Sequence, residues 1–257
     1  MGDKNMEFDS RQVLREIQAV IADSESDVHR VRQFSASPQA AADAEKLKQS
    51  VIVLKSETQL ELGGPVKGSS KLVLCVDSPA IIQDGEISVI GPDIFESTES
   101  SVSLAQLIVA SLSENDPATV LKLAQYASPP GLLDGCMVRD NGDKIWYRIS
   151  KTAYSQGISF QKIGSAVLGQ LKRDIPAVNS ACMIFAVSDP KLTDRFSVPV
   201  FSAHKAYKEL KREIWQTRGV DITACSASHC GACKSHDLCD KVRDIEKDYR
   251  KEVKQNV

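Results

Sequence analysis

Four cysteines fall within fifteen residues, Cys225, Cys230, Cys233 and Cys239, in the spacing C-x4-C-x2-C-x5-C. Thiolates so spaced can converge on one inorganic centre from a single loop. Four of them close a tetrahedral metal site or hold the corners of an iron–sulfur cluster. Zinc ribbons draw their ligands from two knuckles a dozen or more residues apart; here all four thiols lie in one compact segment with no strand expected between them. The C-x4-C-x2-C part has the local spacing of plant-type ferredoxin ligation. Gly231 and Ala232 keep the turn between Cys230 and Cys233 free of bulk. The pattern favours a [4Fe–4S] cluster, with structural zinc as the alternative. His229 and His236 flank the thiols and offer imidazole in place of one sulfur, or hydrogen bonds from behind. Asp237, Asp240 and Asp244 are poor donors to a soft cluster. They suit the start of a charged helix over 240–254, whose Lys247, Arg250 and Lys251 complement the far end of its dipole.

Three further cysteines read differently. Cys75 lies in LVLCV, Cys182 in ACMIFAV, and Cys136 two residues before Val138, all strand-like apolar settings. Small buried thiols are expected there. The 257 residues carry 32 basic and 34 acidic side chains, a formal charge of -2. That balance announces no face for nucleic acid or an anionic membrane. The polar start MGDKNMEFDSRQ has no signal-peptide pattern, and no run approaches the ~20 apolar residues of a membrane span. A cytoplasmic chain is expected, and in that compartment seven cysteines do not form a disulfide framework.

The elements that must position these groups follow from periodicity and turn chemistry. Leu14, Ile17, Val20 and Ile21 keep a helical period after Ser10, and a second helix is predicted over 27–34. A third begins at Ser37, with Pro38 in its first turn. From Val51 the period changes to two: VIVLK, QLELG and KLVLCVD read as strands, broken by a turn at Gly63-Gly64-Pro65. AIIQ-DG-EISVIG predicts a hairpin about Asp84-Gly85, and GCMVRD-NG-DKIWYRIS a second about Asn141-Gly142. Helices are predicted over 103–112, over 117–126 behind the cap Asp116 and Pro117, over 159–173, and over 202–218 with Gly219 closing it. SACMIFAV supplies another strand. Hairpins mixed with helices indicate an α+β fold. The expected organisation is a helical segment over 1–50, an α+β domain over 51–200, and over 201–257 a helix, the cysteine loop and the last helix.

Three stretches resemble a known family: ELGGPVKGSSKLVL from Glu61, DGEISVIGPDI from Asp84, and DKIWYRISKTAYSQGISFQKIG from Asp143. They are similar to acetyl-CoA synthase, the beta subunit of the carbon monoxide dehydrogenase/acetyl-CoA synthase complex. Trp146, Arg148, Ser150, Lys151, Ala153, Gly157, Ile163 and Gly164 carry the longest block. The likeness covers roughly residues 50–190 and then the cysteine loop. It implies that the α+β domain corresponds to that family's middle domain. It also implies a following metal centre in which a [4Fe–4S] cube is joined through a cysteine to nickel. Cys230, Cys233 and Cys239 carry over as cube ligands, with Cys225 as the fourth. The 257 residues contain no Cys-Gly-Cys segment of the kind that holds nickel in that family. A shortened relative is therefore expected, which does not make acetyl-CoA on its own.

The function expected is that of an iron–sulfur redox or assembly component, partnered by protein subunits of a larger redox or one-carbon complex. The alternatives are a metalloenzyme with an open cluster or nickel site, and a zinc-stapled interaction protein. The resemblance also implies a coenzyme A-type ligand, whose phosphates Arg148 and Lys151 can meet; the other reading of these two is a solvated hairpin end with salt bridges. No Ser–His–Asp pattern is present, and His29 and His204 are expected to be solvated. Neither Gly63-Gly64-Pro65 nor the GSSK at Gly68–Lys71 has the spacing of a phosphate loop.

Overall fold

The computed structural model describes residues 10–26, 31–37, 52–64, 67–114, 116–128 and 132–217. The helix predicted from Ser37, His29, the four-cysteine loop with His229 and His236, and the helix predicted over 240–254 lie outside the described residues. The chain divides into two compact units, Met1–Leu210 and Lys211–Val257.

Helix α1 (Ser10–Ser26) opens the first unit and buries Val13, Leu14, Ile17 and Val20, the helical stripe read from the sequence. Among the described residues nine strands follow: β1 (Val31–Ser35), β2 (Thr58–Gly63), β3 (Ser69–Val76), β4 (Glu86–Ile90), β5 (Ser101–Val102), β6 (Leu104–Leu112), β7 (Cys136–Asn141), β8 (Lys144–Ser150) and β9 (Val178–Val187). They form a five-stranded sheet in the order β1-β4-β9-β6-β3 and a four-stranded sheet in the order β5-β2-β8-β7. Parallel and antiparallel pairings mix in both. The helices are α2 (Pro117–Ala124), α3 (Lys151–Ser155), α4 (Phe160–Asp174) and α5 (Pro190–Thr217). The class is α+β.

One core joins the sheets. Leu60, Leu62, Cys136, Val138, Ile145, Tyr147 and Ile149 point from the smaller sheet into the same apolar cluster as Val73, Ile87, Ile108, Met183 and Phe185 of the larger. Helix α4 lies on β4 and β9, where Phe160 meets Phe185 with ring centroids 4.8 Å apart. The edge of β3 is closed by side chains of α5. The Cys75 amide donates to the Tyr207 hydroxyl at 3.0 Å, and the Lys71 carbonyl lies 3.2 Å from His204 Nε2. His204 is thus half-buried against a strand edge rather than solvated.

Five local expectations are corrected. Residues 31–35 form a strand, because Val31–Ser35 finds a full antiparallel ladder on β4. The segment over 103–112 is the buried strand β6, paired on both edges. VIVLK makes no ladder among the described residues: Ile52 and Leu54 are exposed, Val53 is buried, and a 3₁₀ turn follows at Lys55–Glu57. Asp84-Gly85 makes a turn, but it is not a hairpin tip. Pro79–Ile81 is a 3₁₀ turn, and β4 pairs with β1 and β9 instead of folding back. Helix α5 begins at Pro190, not 202, and runs through Pro199. The helices behind Asp116 and Ser159 match their sequence signals, and so does the hairpin of β7 and β8, although its two-residue turn is Gly142-Asp143, one residue later than expected, because Asn141 pairs with Lys144.

Candidate functional site

The alternation of β8 sends Ile145, Tyr147 and Ile149 into the core and turns Trp146 and Arg148 to the opposite face. Register then selects their neighbours. Arg148 stands opposite Glu61 on β2 and Met137 on β7, and Trp146 opposite Gly63 and Arg139. Arg148 Nε donates to Glu61 Oε1 at 2.8 Å, and its NH1 to the Val53 carbonyl at 3.4 Å. The guanidinium carbon lies 4.4 Å from the centre of the Trp146 ring, and that of exposed Arg139 lies 5.4 Å from it. Stacking of this kind holds an arginine without consuming its donors. Arg139 makes no hydrogen bond or ion pair among the described residues.

Beside this array opens a cleft of about 520 Å³, lined by Ile52, Ser56, Asp134, Gly135, Lys151 and Gln156 among others. Lys151 Nζ donates to the Ser56 carbonyl at 3.0 Å and has no carboxylate partner among the described residues. Arg148 on β8 and Lys151 in the first turn of α3, both singled out from the sequence, are thus linked through carbonyls of the 53–56 segment, and of the two only Lys151 lines the cleft. Sequence reasoning missed Glu61 and Arg139. Their only signal is cross-strand register, which local patterning does not supply.

Behind this face, where the sheets meet, lies a buried polar chain. Lys71 Nζ reaches Asp140 Oδ2 at 2.6 Å, with both side chains 4% exposed. The same oxygen accepts the Ser128 amide at 2.8 Å. Tyr147 donates to Gln106, a contact between the inner faces of β8 and β6. Desolvation drives the Lys71 ammonium below the ordinary lysine value, against the opposing pull of Asp140.

The cysteines of the sheets behave as expected of core thiols. Cys75 and Cys136 are buried and Cys182 half-buried, all three free. Desolvation pushes them from an ordinary 9.0 to about 11 at Cys75 and about 12 at Cys136 and Cys182. Thiolate is the reactive form, so near neutral pH these three should resist alkylation in the native protein and react fully in denaturant. Quantitative mass spectrometry after brief maleimide exposure checks this. The linkage runs one way. A raised folded value means the stability these thiols support is intact below 9.0 and lost as pH climbs toward 11–12. Among the described residues no three His, Cys, Asp or Glu side chains gather as a metal site. No helix among them is long and apolar enough to cross a membrane.

The sequence profile of the CO dehydrogenase/acetyl-CoA synthase complex beta subunit matches residues 49–192, more than half of the chain. This chain belongs to that family. Its relatives include acetyl-CoA decarbonylase/synthase complex subunit beta 1 of Methanocaldococcus jannaschii, 26% identical over 181 residues, which are 68% of this chain and 22% of the relative. Carbon monoxide dehydrogenase/acetyl-CoA synthase subunit alpha of Moorella thermoacetica is 26% identical over 194 residues, 71% of this chain and 25% of the relative. The beta subunit of Methanopyrus kandleri is 25% identical over 162 residues, 61% and 33% of the respective chains. The chain thus spans about a fifth to a third of the length of the family members it matches. The family match holds both sheets from β2 onward and the Trp146–Arg148 face, and it ends before Cys225.

Proposed function

We propose that this chain is an iron–sulfur component of a carbon monoxide dehydrogenase/acetyl-CoA synthase type assembly. Its domain over 51–200 serves as platform for protein partners and a ligand, and its segment over 201–257 carries the metal. One conjunction supports the reading. A chain matching the beta-subunit family over 49–192 also carries Cys225, Cys230, Cys233 and Cys239 within fifteen residues. Four thiolates suit a [4Fe–4S] cluster, which supplies one-electron redox chemistry when bound. With four protein ligands such a centre keeps no open position, and its work is electron transfer or assembly. The chemistry of the donors carries this assignment, since soft thiolates select iron–sulfur clusters or zinc over hard cations. Partners are other protein subunits of a one-carbon complex in the cytoplasm.

The platform's ligand is read as a coenzyme A-type molecule, with Arg148 and Lys151 toward its phosphates. In support, both cations keep donor capacity unused by carboxylates. Arg148 NH2 has no partner among the described residues, and Lys151 meets only a carbonyl. Planar guanidinium donors match phosphate geometry.

Metal and sulfide counts on anaerobically purified full-length protein test the centre. About four iron and four acid-labile sulfide per chain, without nickel, are expected. Zinc without sulfide overturns the reading in favour of a stapled interaction protein. Nickel together with iron moves it to a metalloenzyme acting on acyl or carbon monoxide-derived groups. Replacing Cys225 with serine should release iron and sulfide; full retention reduces the ligand set to Cys230, Cys233 and Cys239.

A further inference from the structure

We infer that Glu61 is a positioning residue that presents Arg148 to the anionic part of the ligand, an inference that rests on the coenzyme A-type reading above. Arg148 is fixed at three points. Glu61 Oε1 takes Nε at 2.8 Å, the Val53 carbonyl takes NH1 at 3.4 Å, and the Trp146 ring lies 4.4 Å from the guanidinium carbon. These leave NH2 as the nitrogen with no protein partner among the described residues. The indole is held in turn: a Cβ at Gly64 would come within 3.0 Å of Trp146 Cδ1, so the backbone runs against its edge. The Glu61 and Arg148 side chains are 26% and 20% exposed, so the pair is half-buried, reached by solvent from one side. Its consequence is geometric: an arginine whose rotamers are already restricted loses less entropy when it takes up an anion.

Glu61 also opposes the anion it helps to bind, because its carboxylate adds negative charge close to the phosphate position. The two effects separate by substitution. Glu61→Gln keeps an oxygen acceptor for Arg148 Nε and removes the charge; Glu61→Ala removes both. The two variants carry equal charge, so any difference between them reports positioning alone.

Isothermal titration of the full chain with coenzyme A at low ionic strength decides the matter. Glu61→Gln should bind at least as tightly as the parent, by up to about tenfold, since a repelling charge is gone. Glu61→Ala should bind about fivefold or more weakly than Glu61→Gln. Equal affinities of the two variants overturn the inference. Introducing Arg148→Ala should weaken binding about tenfold or more and abolish the difference between Gln and Ala at position 61. If the difference persists in that background, Glu61 acts through the fold and not through Arg148, and the inference fails alone. If the parent does not bind coenzyme A, or Arg148→Ala leaves its affinity unchanged, the phosphate role of Arg148 fails and takes this inference with it. Thermal melts of each variant, expected within a few degrees of the parent, show that folding does not account for the changes.

Discussion

Replacing Asp140 with alanine should destabilise the protein by about 3–5 kcal/mol, because it strands a buried ammonium. Lys71 and Asp140 are each 4% exposed and 2.6 Å apart, so neither charge has water to fall back on. Removing the carboxylate leaves Lys71 with the Tyr126 carbonyl and also deprives the Ser128 amide of its acceptor. Replacing both charges with apolar residues, Lys71→Met with Asp140→Leu, should cost well under the sum of the single changes, since no unpaired charge is left. Urea denaturation of the parent, Lys71→Met, Asp140→Leu and the double variant measures the coupling. The pH dependence has a defined sign. Burial already holds Lys71 below its ordinary 10.5. Between its folded value and 10.5 the unfolded chain binds more protons, so this group's contribution to stability rises with pH. Asp140→Asn removes the pull that opposes burial and widens that window. The gap between Asp140→Asn and the parent should therefore narrow as pH rises toward 10.5. A gap that stays constant would place the lysine's proton outside this interaction.

This pair ties together parts of the chain that no local pattern connects, and it marks where sequence reading stops. Helix α2 was legible because its start is self-contained: Asp116 Oδ1 accepts the amides of Ala118 and Thr119 at 2.9 and 3.2 Å, with Pro117 between. The β7–β8 hairpin was legible for the same reason, with Gly142 supplying a φ of +62° in its two-residue turn. The segment LAQLIVASL was not. Every residue of β6 is buried, so both faces are apolar, and a strand covered on both faces has no period to distinguish it from a helix. Of its two polar residues, Gln106 and Ser111, Gln106 sits there because Tyr147 lies across the core from it. The strand at 31–35 owes its form to β4, more than fifty residues away in the chain. The start of α5 was hidden by Pro199, which removes one helix hydrogen bond and reads as a break, while Asp189 caps the true beginning through the Lys191 amide at 2.8 Å.

The same division applies to the site. Arg148 and Lys151 could be picked out by residue type within a family-like block. That Arg148 would be engaged by Glu61 depends on β2 and β8 aligning residue 61 with residue 148. The four cysteines are the opposite case. The metal-binding role proposed for them rests on spacing alone, four soft donors within fifteen residues.

The turn that leaves β2 sets how the Trp146–Arg148 face is built, and Gly63→Ala should be the most damaging single-methyl change there. Gly63 has φ +73°, a region that side chains rarely adopt. An added Cβ would lie 2.5 Å from the Ile145 carbonyl oxygen and 2.9 Å from Ser69 Cβ. The first of these is β8 backbone just past the last β2–β8 pair, held in place by the β7–β8 ladder, and has nowhere to go. Strain and clash together should remove about 3 kcal/mol or more. Gly68→Ala is the matched control: its φ is +82°, and nothing lies within 4 Å of the added carbon. Only the conformational term remains, about 1 kcal/mol. The difference between the two variants in chemical denaturation isolates the clash. Equal losses would mean that the ladder yields at Ile145, and a ladder that yields there would also release Trp146 and Arg148 from the register that brings Glu61 to them.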